Sequence, residues 1–77
     1  MELNILPKTM GDRIRAARYH KRMSQVELAR QLKVHKTLIS HWEGGRSKPS
    51  VAQLVSVSSA LDVSLDFLAG LEQVTYA

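Results

Sequence analysis

Residues 24–44, SQVELARQLKVHKTLISHWEG, carry the pattern that most restricts what this chain can fold into. Ser24 followed three residues later by Glu27 is a capping-box pair, which starts a helix. Leu28, Ala29 and Leu32 then lay a single apolar stripe along it. Leu32-Lys33-Val34-His35 interrupts the period. A second helix is predicted from about Lys36 to Glu43, with Ile39 and Trp42 three apart and Gly44-Gly45 ending it. Two helices this short, joined by three or four residues, must meet at a tight corner.

That spacing is the one a helix-turn-helix motif requires, and the rest of the chain can be read around it. With 77 residues, the sequence has room for one domain and a small core, and little for a deep enzymatic cleft. The apolar fraction of 44% against 23% charged residues is that of a globular chain and not of a disordered one. Cysteine is absent, which excludes disulfides, thiol chemistry and thiolate metal ligation. The apolar runs are too short to span a bilayer, and MELNILPKTM lacks the features of a signal peptide, so a cytoplasmic protein without membrane association is expected.

Outside the corner, residues 1–8 read as an N-terminal arm, with Leu3, Ile5 and Leu6 available to fold back on the core. Thr9 and Asp12 start the first helix, although Asp is a weaker third-residue partner than Glu. That helix is predicted to run to about Arg22. Met10, Ile14 and Ala17 lie on its inner side, joined by the stem of Lys21, while Arg13, Arg15 and Arg22 face mainly solvent. Met23 is placed to act as a hydrophobic staple for the next helix. Gly44 to Pro49 form a turn. Ser50 caps a fourth helix whose stripe is Val51, Leu54, Val57, Ser58 and Leu61, broken at Asp62-Val63. Ser64 caps a short fifth helix with Phe67 and Leu68, stopped at Gly70. The expected organisation is an all-α bundle over 9–70, with a tail at 71–77 whose Leu71, Val74 and Tyr76 are candidates for a subunit contact.

Charge is distributed unevenly. All 11 Lys and Arg lie between Lys8 and Lys48, whereas residues 49–77 have none and carry Asp62, Asp66 and Glu72. A basic region of this kind favours a polyanion. On a helical wheel started at Lys36, Thr37 falls at about 100°, Ser40 at about 40° and His41 at about 140°, while Ile39 and Trp42 fall on the far side at about 300° and 240°. The third helix therefore has an apolar back and a front of short or hydrogen-bonding side chains, of the kind that reads base edges in a major groove. Leu38 is on the border, equally suited to burial and to a thymine methyl. Gln25 in the first turn of the second helix, Arg46 and Lys48 in the loop after the third, and, as lesser candidates, Lys33 and Arg15 are the expected phosphate contacts. The bland alternative for each is a solvated surface residue. Trp42 reads as a core anchor. Glu43 would repel phosphate, and fits better as a structural partner of a first-helix arginine.

These residues resemble the Cro/CI phage repressor family, the XRE-type helix-turn-helix proteins. The matching segments are GDRIRAARYHKRMSQVELARQLKV, TLISHWEGG with Pro49, and LVSVSSALDVSLDFL, which together span about residues 9–69. The resemblance implies a lambda-repressor-like five-helix bundle with the third helix in the major groove. It implies that Lys36, Thr37, Ser40 and His41 face bases or the adjacent backbone, that Gln25 contacts phosphate, and that Arg18 and Glu43 pair to tie the first helix to the end of the third. Leu28, Ala29, Ile39 and Trp42 take structural positions. Members usually bind two-fold symmetric operators as homodimers. Three positions depart from the family pattern. Lys33 stands where Gly is common, His35 where a Ser or Thr cap is usual, and Ser58 where Ala is frequent, each at a cost of roughly 1 kcal/mol.

The function expected is a double-stranded-DNA-binding transcriptional regulator, most simply a repressor. The competing class is a module of the same fold that binds mainly a partner protein, such as an antitoxin with its cognate toxin. An enzyme is disfavoured. His20, His35 and His41 are not at a metal-ligand spacing, no nucleophile elbow is present, and neither cofactor nor metal is expected.

Overall fold

A computed structural model describes residues 7–71, and these form five helices with no strand among them. They are α1 (Met10–His20), α2 (Gln25–Leu32), α3 (Lys36–Gly44), α4 (Val51–Leu61) and α5 (Leu65–Ala69). The expected arm contacts of Leu3, Ile5 and Leu6, and the expected subunit contact of Val74 and Tyr76, lie outside the described residues.

The helix starts follow from side chains in the sequence. Thr9, Ser24 and Ser50 each accept from the backbone N–H three residues on, and each receives a reciprocal bond to its own N–H. The strength of that return bond follows the partner. Glu27 holds the Ser24 N–H at 2.7 Å and Gln53 holds that of Ser50 at 2.8 Å, whereas the shorter Asp12 reaches the Thr9 N–H only at 3.4 Å. Ser64 caps α5. His35 begins α3 without a side-chain cap.

The helix ends share one device. After each helix a residue takes the left-handed conformation, and backbone N–H groups turn back to the last carbonyls. Gly45 and Gly70 do this without strain, while Arg22, Lys33 and Asp62 do it with φ of 56°, 59° and 57°. This device shortens α1 relative to expectation. The chain reverses at Arg22, whose N–H bonds to the Tyr19 carbonyl while that of Met23 bonds to the Arg18 carbonyl. The apolar period of α1 could not reveal this stop, because no Gly marks it.

The core unites Ile14 and Ala17 of α1, Leu28 and Ala29 of α2, Ile39 and Trp42 of α3, Val57 and Leu61 of α4, and Phe67 and Leu68 of α5. Two expected inner positions are corrected. Lys21 is exposed beyond the end of α1, and Val51, at 79% exposure, lies off the buried stripe of α4. Ser58 is half-buried, so its hydroxyl is not sealed from water, and the serine bond back to its own helix occurs at Ser56, which donates to the Ala52 carbonyl at 3.3 Å.

Candidate nucleic-acid interface

α3 packs against both α1 and α2, and this fixes which of its sides is free. Ile39 and Trp42 are sealed into the core, with 0% and 2% exposure. Lys36, Thr37 and Ser40 are exposed, His41 is half-buried on the same side, and Leu38 is half-buried at the border. The structure thus brings Lys36, Thr37, Ser40 and His41 together on one outward face.

What holds that face in place is a charge cluster behind it. Arg18 grips Glu43 with two parallel hydrogen bonds, Nε to Oε2 at 2.7 Å and Nη2 to Oε1 at 2.9 Å. Its remaining Nη1 donates to the Met23 carbonyl at 2.9 Å, so one guanidinium joins α1, the α1–α2 connection and α3. The Arg18 guanidinium also lies 4.8 Å from the Tyr19 ring centroid. Gln25 donates its amide to Glu43 Oε1 at 3.0 Å, and Arg15 approaches the same oxygen at 3.5 Å. Arg15 also donates from Nη2 to the Glu43 carbonyl at 3.2 Å, satisfying one of the carbonyls that the end of α3 leaves open.

The cluster sets the ionisation of its members. Burial is the largest single influence on Glu43 and pushes its pKa up. The hydrogen bonds from Arg18 and Gln25, the charge of Arg18 and the bond from Arg15 together outweigh it, and the carboxyl is held below the ordinary glutamate value. Arg18 is raised above its ordinary value, first by its hydrogen bond to Glu43, against the opposing effect of burial. Both groups are ionised at neutral pH, and the carboxylate that a phosphate surface would find repellent is neutralised and nearly inaccessible.

The expected phosphate residues divide into two groups. Arg46, Lys48 and Lys33 are exposed on loops. Arg46 is carried by the Gly45 turn, its N–H bonded to the His41 carbonyl at 2.9 Å. Gln25 and Arg15 instead already have intramolecular partners in Glu43, and Arg15 turns inward although its side chain keeps 43% exposure. Gln25 retains a second amide N–H and its carbonyl oxygen for other partners.

Two features of this site escaped the sequence reading. One is the bonding of Arg15, expected only as a phosphate contact, to Glu43. Gly11 is the other, because a Cβ there would run into the Trp42 carbonyl and stand 2.7 Å from that of Glu43, so only glycine lets α1 approach the end of α3 so closely. The signal was present: Gly11, Arg15 and Arg18 are spaced i, i+4, i+7, on one face of α1. No group of three or more His, Asp or Glu placed to hold a metal ion occurs among the described residues. No described helix is long and apolar enough to cross a membrane.

A family model described as "Helix-turn-helix" matches residues 14–68. The fold of the described residues also superposes on that of the P22 c2 repressor in complex with a synthetic operator, with a TM-score of 0.79 and 34% identity, covering 84% of this chain and 98% of that one. The chain belongs to the Cro/CI-type helix-turn-helix family. SinR of Bacillus subtilis, solved in complex with DNA, shares 38% identity at a TM-score of 0.73, with 78% of this chain and 97% of that one covered. Among curated relatives, the HTH-type transcriptional activator BcrR of Enterococcus faecalis is 36% identical over 68 residues, 87% of this chain and 33% of its own length. The chain spans between 27 and 44% of the length of the curated relatives it matches.

Proposed function

We propose that this helix-turn-helix chain is a sequence-specific double-stranded-DNA-binding transcriptional regulator that inserts α3 into the major groove. The observation that carries this reading is the exposed face of Lys36, Thr37, Ser40 and His41 on a helix whose other side is locked into the core. Lys36 donates to guanine or to phosphate. Thr37 and Ser40 donate and accept, and His41 offers a donor or an acceptor according to tautomer. Gln25, Arg46, Lys48, Lys33 and Arg15 hold the backbone and set the register. That the P22 c2 repressor was solved in complex with a synthetic operator, and SinR in complex with DNA, supports DNA as the ligand here.

The regulator acts as a repressor in this reading, as a cytoplasmic homodimer on a two-fold symmetric operator, one half-site per subunit. A partner protein is the second reading. It is favoured by one observation, that SinR has also been solved in complex with the protein SinI. A cognate toxin is one form such a partner takes.

Selection of duplexes from a random pool, followed by stoichiometry on the enriched duplex, tests this directly. A two-fold symmetric consensus bound by two subunits is expected. Failure to enrich any duplex at low salt overturns the DNA reading.

A further inference from the structure

We propose that Arg22 is an additional phosphate-contacting residue, extending the backbone grip beyond Gln25 on the side of the α1–α2 connection. The proposal rests on the DNA-binding reading above and adds to it a residue outside the helix-turn-helix corner.

Arg22 is one of three residues that end a helix in the left-handed conformation without being glycine. The same chain uses Gly45 and Gly70 for the same backbone task. A side chain at such a position is conformationally disfavoured, so the residue there is explained by what the side chain does. At Arg22 no such use is visible among the described residues. Arg13 donates to the Lys8 carbonyl at 3.2 Å, Arg15 and Arg18 are engaged by Glu43, and yet the Arg22 guanidinium has no hydrogen-bond or ion-pair partner among the described residues.

Its surroundings suit an anion. Arg22 is exposed beside exposed His20 and Lys21, and it stands two residues before Ser24 and three before Gln25. The nearest acid in sequence, Glu27, has its carboxylate turned to the Ser24 N–H at 2.7 Å. The first turn of α2 adds the positive end of its dipole. The Schellman-type turn fixes the Arg22 backbone, with its N–H on the Tyr19 carbonyl at 2.9 Å and that of Met23 on the Arg18 carbonyl at 3.0 Å. A free cation on a fixed backbone next to the expected Gln25–phosphate contact is placed to meet the next phosphate along the strand.

A cation at this place also complements the dipole at the end of α1, a purely structural role. Salt dependence separates the two. Binding of the enriched duplex is measured from about 50 to about 200 mM salt for the full chain, Arg22→Lys, Arg22→Gly and Arg22→Asn, alongside thermal melting. Asn is included because it tolerates the left-handed conformation. The expected result is an unchanged log–log slope for Arg22→Lys and a slope shallower by about 0.9 for the Gly and Asn variants. Their affinity falls roughly three- to tenfold at intermediate salt, equally on the enriched and on unrelated duplexes. Arg22→Gly melts no lower than the parent. Gly and Asn variants that keep the slope and affinity of a DNA-binding parent overturn the role of Arg22 and leave the DNA reading standing. A parent that binds no duplex overturns both.

Discussion

The inner and outer sides of α3 are held to opposite standards. On the inner side Ile39 and Trp42 are sealed, and Glu43 has Arg18, Gln25 and Arg15 converging on its carboxylate. Both carboxylate oxygens of Glu43 have partners there. On the outer side Lys36, Thr37 and Ser40 have no side-chain partner among the described residues and stand in solvent. The difference separates two quantities that mutation can read apart: changes behind the helix act on stability, and changes in front act on binding alone.

The largest expected effect breaks the inner side. Glu43→Gln removes the counter-ion of Arg18 and leaves a buried guanidinium uncompensated, at a cost of about 3–5 kcal/mol in urea or thermal unfolding. Acid titrates the same interaction. The folded pKa of Glu43 lies below its unfolded value, so its contribution is complete above the ordinary glutamate range and is lost as pH falls through the depressed folded value. The parent should therefore lose stability on that descent more steeply than the Gln variant. Parallel stability–pH curves for the two would show that the cluster does not hold α3.

Gly11→Ala comes next. Alanine ordinarily improves a helix by about 0.8–1.0 kcal/mol over glycine. Here the added methyl meets the backbone carbonyls of Trp42 and Glu43, which cannot swing aside as a side chain would. Overpacking of about 1–3 kcal/mol opposes that gain, and a net loss of up to about 2 kcal/mol is expected. Gly44→Ala is the control, because a Cβ at Gly44 meets nothing within 4 Å. It should be neutral or stabilising, and equal losses at both positions would remove the close approach of α1 as the explanation.

On the outer side, Lys36→Ala and His41→Ala should each change stability by no more than about 0.5 kcal/mol. Each should weaken binding to the enriched duplex, with about 1–3 kcal/mol of discrimination lost for a residue that reads a base edge. If both variants bound that duplex as well as the parent, the reading face would have been assigned to the wrong side chains.

The sequence is informative where a residue type has one good use and less so where it has several. Ser24 with Glu27 announces a helix start, and the Ile39–Trp42 spacing announces a buried side, because those patterns have few alternatives. The bundle and its corner were legible for that reason. An arginine on a helix has many uses, and Arg15 read as a solvent-facing phosphate contact because nothing local distinguishes it from Arg13. Only the approach of α1 to the end of α3, made possible by Gly11, brings Arg15 to Glu43. The stop of α1 was hidden in the same way, since Arg22 performs a turn that sequence alone assigns to glycine.

Lys33 gives the smallest effect and joins the two sides of the comparison. It ends α2 in the left-handed conformation, with φ 59° and ψ 43°, and its N–H returns to the Arg30 carbonyl at 3.2 Å. That backbone is already what glycine prefers, so Lys33→Gly relieves strain but also loosens the unfolded chain, and a gain of about 0.5–1 kcal/mol is the upper range. The exposed ammonium of Lys33 has no partner among the described residues, so its removal leaves no buried group unsatisfied. If Lys33 also touches phosphate, the variant is more stable and yet binds DNA more weakly, with a salt slope shallower by about 0.9. Gain in stability with unchanged binding places Lys33 outside the interface. Loss of stability instead would mean that the side chain supports the corner, and the strain assigned to this turn would have to be withdrawn.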